Sequence, residues 1–188
     1  MNRRIFVSVM AAFLMFAAGC TTTGPSSGNP ESRRRSIDAG VDNALAELYR
    51  QVAGAEQLVG RSRGVLVFPS VLEAGFVFGA ARGEGALRVG GRTQSYHATT
   101  SGTFGWMAGA QSTAVFVLFM TDQALANFQN SRGWTVGADA SVTLVSVGAG
   151  AQMSTATVQQ PVIGFVLVNR GLMGGISLDG TRITRLDL

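Results

Sequence analysis

The chain has no lysine, one histidine and one cysteine among its 188 residues. Without lysine there is no Walker A loop, and no G-x-G-x-x-G follows a strand. A lone His97 and a lone Cys20 exclude a His-pair metal site, a zinc cluster, Cys/His catalysis and an internal disulfide. Charge is sparse as well: charged residues make up 14% of the chain against 46% hydrophobic, with 25 glycines, a balance that describes a β-rich, tightly packed body. Without residues 1–19, thirteen arginines face eleven acids, a net charge near +2. The basic pI therefore carries little argument for nucleic acid, and no nucleic-acid motif accompanies the arginines.

What is present starts at the N-terminus. Arg3 and Arg4 precede an apolar run from Ile5 to Ala18, broken only by Ser8. This is the layout of a signal peptide, and the run falls short of the roughly 20 residues needed to span a bilayer. Ala17-Ala18-Gly19-Cys20 resembles a lipobox, with Ala17 where leucine is usual, and implies cleavage before an acylated (palmitate-type) Cys20. Ordinary small-x-small cleavage into a secreted form is the alternative. Thr21 after the cysteine, in place of Asp, follows the outer-membrane sorting pattern, so the expected location is the periplasmic face of the outer membrane. Residues 21–32 are small, polar and rich in Gly and Pro, the composition of a flexible linker. Arg33, Arg34 and Arg35 follow, read either as a solvated run flanking a helix or as a cluster drawn to an anionic leaflet.

The expected organisation is a signal peptide over 1–19, a lipidated cysteine and linker over 20–35, and a single domain over 36–188. Ile37, Val41, Leu45, Leu48 and Val52 recur at helical spacing, with Ser36 as the expected N-cap. The helix continues or restarts after Gly54. Strands are expected over Gly64–Phe68, ended by Pro69, over Ala74–Ala81, and in a hairpin around Ala86–Val89. Thr113–Met120 is apolar almost without relief, which suits a central strand covered on both faces. Thr121 is expected to cap a short helix bearing Leu125 and Phe128. From Trp134 an alternating pattern predicts one long strand with a bulge near Leu144–Ser146. A strand over Pro161–Val168 and a closing hairpin about Asp179-Gly180 complete the reading. The fold class is α+β: a mainly antiparallel, Gly-rich twisted sheet or partly closed barrel, with an N-terminal amphipathic helix and one or two short helices packed on it. A transmembrane β-barrel fits poorly, because the strands are mostly too short and helices intervene.

Catalytic chemistry finds little support. Gly24-Pro25-Ser26-Ser27-Gly28 matches G-x-S-x-G by letter, but it sits in the linker, without the strand and helix that a nucleophile elbow requires. Among the scattered carboxylates Glu73, Glu84, Asp122, Asp139 and Asp179, Asp139 stands out between Ala138 and Ala140, with a structural role expected first. His97, Trp106 and Trp134 are read as structural residues.

In order along residues 45–186, the segments Gly64-Val-Leu-Val-Phe-Pro69, Ala74-Gly-Phe-Val-Phe-Gly79, Gly83-Glu-Gly-Ala-Leu87, Gly109-Ala-Gln-Ser112, Phe119-Met-Thr-Asp-Gln-Ala-Leu125, Trp134-Thr-Val-Gly-Ala-Asp-Ala-Ser-Val142 and Gly171-Leu-Met-Gly-Gly-Ile-Ser-Leu178 resemble the SYLF domain family, in its bacterial lipoprotein branch. The resemblance implies a non-enzymatic, lipid-associated module without a cofactor. Eukaryotic relatives bind phosphoinositides through a basic surface and an N-terminal amphipathic helix, and some bind actin. Carried onto this sequence, it makes Arg33, Arg34, Arg35, Arg50, Arg61 and Arg63 candidates for contacting anionic phospholipid headgroups. The helix bearing them also carries Asp38, Asp42, Glu47 and Glu56. An envelope structural or protein-interaction module, with a protein partner, is the competing expectation.

Overall fold

The computed structural model describes residues 29–75, 78–104, 109–145, 159–168, 171–172 and 178–188. The expected signal peptide, Cys20, the first part of the expected linker, Phe76 and Trp106 lie outside the described residues.

Helix α1 spans Pro30–Gln51, beginning six residues before the expected Ser36 cap. The reason is local. The Asn29 side chain accepts from the Glu31 N–H at 3.1 Å, Pro30 occupies the first helical turn, where its missing N–H costs nothing, and Glu31 adds a negative charge there. Pro30–Arg35 is thus helix rather than linker. The apolar stripe is as the spacing requires: Ile37, Val41, Ala44 and Leu48 are buried, and Val52 closes the run at the C-cap. Gly54, at φ 83°, breaks the helix, and α2 restarts over Ala55–Arg61.

Nine strands follow among the described residues: β1 (Gly64–Gly75), β2 (Phe78–Val89), β3 (Arg92–Phe104), β4 (Gly109–Phe119), β5 (Trp134–Thr135), β6 (Thr143–Leu144), β7 (Val162–Val168), β8 (Gly171–Leu172) and β9 (Arg182–Leu186). Helix α3 (Asp122–Asn130) lies between β4 and β5, and the Thr121 hydroxyl accepts from the Ala124 N–H at its start. The sheet order is β5-β9-β3-β2-β1-β4-β7-β6, with β8 on β7. Pairing is antiparallel except between β6 and β7, and the sheet curls into a half-barrel.

Alternation along the central strands sends side chains into two separate cores. Val65, Val67, Ala86, Phe116, Leu118, Ile163 and Phe165 meet α1 and α2 on the outer face. Leu66, Phe68, Leu87, Val115, Val117, Phe119 and Val166 meet Leu125 and Phe128 of α3, together with Trp134 and Ile183, on the concave face. In β4 every residue from Val115 to Phe119 is buried, as its unbroken apolar run predicts.

Four sequence expectations change. Pro69 does not end β1: the register shifts between Val67 and Ser70, so the proline sits at a bulge where it owes no ladder hydrogen bond. The expected strand Ala74–Ala81 straddles a reversal, because Gly75 pairs with Gly79. The long strand from Trp134 breaks after two residues. Gly137 adopts φ 87°, and the Asp139 carboxylate accepts from the Thr135 N–H at 2.6 Å, closing a tight turn. The Asp179-Gly180 turn forms, with Thr181 N–H bonded to Leu178 O at 3.0 Å, but β9 leaves it to pair with β3 and β5. The bulge expected at Leu144–Ser146 lies partly outside the described residues; β6 stops at Leu144.

Candidate functional site

The helix-bearing face of β2 presents Glu84, Ala86 and Arg88 at period two, and α1 lies across them. Asp38 and Asp42, four apart, share a helix stripe that points at this row. Arg88 reaches Asp42 Oδ1 at 2.8 Å and Asp38 Oδ1 at 3.6 Å. Asp38 also accepts from Thr93 Oγ1 at 2.6 Å and from the Tyr96 hydroxyl at 2.9 Å. Burial first, and then the hydrogen bond to Asp38, hold the Tyr96 phenol above its ordinary pKa. Arg88 Nε is buried without a partner, so its carboxylate contacts run through the terminal nitrogens.

This latch changes the charge that α1 shows to solvent. Two of the acids that made its polar face look mixed pair with Arg88, Asp38 partly buried and Asp42 still mostly open to water. Arg33 is committed too: its guanidinium grips Glu84 at two points, one of them Nε to Oε2 at 2.9 Å. Arg34 and Arg35 are exposed and form no ion pair among the described residues. They lie within the first two turns of α1, next to the chain leading back to Cys20.

The other three candidate arginines lie elsewhere. Arg50 is exposed and paired with Glu47 three residues before it. Arg61 is exposed at the end of α2, and Arg63 makes a loose contact with Asp122 at 3.4 Å, both side chains open to water. Fifteen helical residues at about 1.5 Å each separate Arg35 from Arg50 by about 22 Å along the axis. Arg50 therefore does not share a surface patch with the arginines at the start of α1.

The concave face carries a cavity of about 100 Å³ lined mainly by apolar residues, including Phe68, Val115, Val166 and Ile183, with the Thr99 and Thr113 hydroxyls on its wall. Trp134 packs edge-on against Phe119 and Phe128 in this core, at ring-centroid distances of 6.0 and 5.5 Å. His97 is buried beside Phe128 and shares a 2.8 Å hydrogen bond with Ser95 Oγ. Desolvation and then the nearby Arg185 push its pKa down to about 4, so the imidazole is neutral at neutral pH. Asp139 serves the Thr135 turn, its carboxylate accepting from the Thr135 N–H. Among the described residues no three His, Cys, Asp or Glu side chains gather into a metal site, and no helix is long and apolar enough to cross a membrane.

Residues 100–187, from within β3 to just past β9, match the family model described as Las17-binding protein actin regulator (Ysc84). This match agrees with the SYLF resemblance of the sequence. No curated protein matches the chain. The SYLF family is of a lipid- or actin-binding type, a class of binding modules. The matched stretch of the SYLF domain excludes α1 and α2, so none of the six arginines inherits a role from it. The latch of Arg88 to Asp38 and Asp42 escaped the sequence reading. Its available signal was the i, i+4 spacing of the two aspartates beside the apolar stripe, which marks acids placed to meet a cation on the sheet.

Proposed function

We propose that this chain is the precursor of a lipoprotein, cleaved before Cys20 and acylated there. Its single non-catalytic domain binds anionic phospholipid at the periplasmic face of the outer membrane. The observation that carries the binding part is that Arg34 and Arg35 are exposed, without an ion pair among the described residues, at the end of α1 nearest the acylated cysteine, while Arg33 is held by Glu84 and Asp38 and Asp42 are paired with Arg88.

The helix start at Pro30 shortens the tether. About nine residues between Cys20 and Asn29, read as a flexible chain from their composition, give an end-to-end distance of about 15–18 Å. Acyl chains supply the membrane attachment, and a flexible tether of this length lets the two arginines approach within the Debye length of about 8 Å, where each basic residue contributes about 1 kcal/mol. The headgroup-contacting role falls to Arg34 and Arg35. Arg33 braces the helix, and Arg50, Arg61 and Arg63 lie too far along the molecule to share a headgroup with them.

Flotation of the full chain carrying Cys20→Ser with phosphatidylglycerol vesicles tests this at low salt. Binding that weakens in Arg34→Gln/Arg35→Gln supports the reading, and a chain that stays at the bottom of the gradient rejects it. A second reading, an envelope protein-interaction module, is favoured by the matched family's description, which names a protein partner. Retention of one envelope protein by the delipidated chain would be its signature.

A further inference from the structure

On the concave side of the sheet, the face opposite α1, the end of α3 meets β3 and β9 around a cavity of about 210 Å³. Gln94, Ser95 and His97 of β3, Gln129 and Ser131 at the end of α3, and Arg185 of β9 line it over a floor of Phe128. The register makes the site: His97 and Arg185 are directly paired across β3 and β9, so imidazole and guanidinium belong to one face. Among the described residues they are the titratable groups in the lining, and no carboxylate joins them there. Arg185 has no ion pair among the described residues.

We propose that this cavity binds a phosphoryl anion, either free phosphate or a phosphomonoester headgroup. Arg185 supplies the charge, and neutral donors complete the cradle. Gln129 Nε2 donates to Gln94 Oε1 at 2.5 Å, which leaves the Gln94 amide N–H groups to face a ligand. The Ser95 hydroxyl and His97 Nε2 share one hydrogen bond, and an anion draws a proton onto that pair. The C-terminal end of α3 works against negative charge, but the Phe128 carbonyl is already taken by both the Ser131 N–H, at 3.2 Å, and the Ser131 hydroxyl, at 2.9 Å. The volume admits one phosphate and a few waters, each water occupying about 30 Å³. The inference does not depend on membrane docking through α1, because its first probe is soluble.

His97 is the sole histidine, so its ring resonances report on this cavity alone. The experiment is an NMR pH titration of the full chain with Cys20→Ser, with and without inorganic phosphate, repeated with vesicles containing phosphatidic acid. Phosphate is expected to raise the His97 midpoint by about one unit, the lower end of the effect of an opposite charge within about 4–6 Å. Arg185→Gln, an exposed position, is expected to weaken phosphate binding about tenfold or more, as loss of a charged hydrogen bond does, while Arg82→Gln, at an exposed position of β2, leaves it unchanged. A shift with both probes assigns a headgroup site, and a shift with phosphate alone assigns a free-phosphate site; either supports the proposal. An unmoved midpoint with both probes, or an equal shift in Arg185→Gln, overturns it.

Discussion

Arg33 of α1 and Glu84 of β2 are 51 residues apart in sequence and meet in a two-point ion pair with each side chain about one quarter exposed. The hydrogen bond to Glu84 holds the Arg33 guanidinium above its already high pKa. The pair ties the start of α1 to the sheet and separates Arg33 from its neighbours Arg34 and Arg35. Replacing Arg33 by Gln is expected to lower stability by about 0.5–1 kcal/mol, the scale of a partly screened bidentate pair, and to leave vesicle affinity nearly unchanged. Replacing Arg34 or Arg35 should do the reverse, with unaltered thermal unfolding and weaker binding. Paired melting and flotation measurements separate the two roles.

The latch beneath α1 is the more demanding contact. Asp38 satisfies Thr93, Tyr96 and Arg88 together, so Asp38→Ala leaves two hydroxyls without an acceptor and a largely buried arginine with Asp42 as its remaining carboxylate. The expected cost is about 2–3 kcal/mol in urea unfolding, and Asp38→Asn should recover part of it by keeping an acceptor oxygen. The same variants should bring the Tyr96 phenol back toward its ordinary pKa, seen as an earlier rise in tyrosinate absorbance.

Backbone approach sets a third prediction. A Cβ on Gly85 would lie 2.0 Å from the Val67 carbonyl oxygen and 2.7 Å from Phe68 Cδ1, at the bulge that Pro69 occupies. Neither the backbone nor a fully buried phenyl ring has room to retreat. Gly85→Ala should therefore destabilise by about 3 kcal/mol or more, beyond an ordinary overpacked core position. Gly60→Ala meets open space inside α2 and should be neutral or mildly stabilising, which makes it the control.

His97 predicts an acid-sensitive fold. Its folded pKa, near 4, lies below the unfolded value of 6.5, so the unfolded chain binds the extra proton between these limits. Stability contributed by the neutral, buried ring is present above pH 6.5 and falls as pH drops toward 4, by on the order of 3 kcal/mol across the window. Chemical unfolding at several pH values should show this slope, and His97→Gln should flatten it.

Where one physical signal dominated, the sequence was easy to read. The unbroken apolar run Ala114–Met120 could only be a strand buried on both faces, and Leu125 and Phe128 after Thr121 could only face a core. The segment after Trp134 was misread because alternating residues satisfy a strand pattern whether or not the backbone stays extended. Gly137 and Asp139 carried the contrary information, one able to adopt positive φ and the other able to close a turn through its side chain. The early start of α1 was likewise present in Asn29-Pro30-Glu31, an N-cap, an N1 proline and a first-turn acid, but a Gly/Pro-rich linker reading absorbed those residues. Pairings between distant segments, such as Arg88 with Asp38 or His97 with Arg185, have no local pattern at all. They follow from register and from the helix's line across the sheet, and register is set by the whole fold.

The central claim is that Arg34 and Arg35 read anionic lipid beside the acylated Cys20. Equilibrium co-sedimentation of the full chain with Cys20→Ser, across phosphatidylglycerol, cardiolipin and neutral vesicles at two salt concentrations, tests it most directly. The account predicts binding to anionic vesicles alone, weakened by salt, and weaker by about fivefold for each arginine removed, the equivalent of about 1 kcal/mol apiece. Equal binding to neutral vesicles, or anionic binding that survives loss of both arginines, would contradict it.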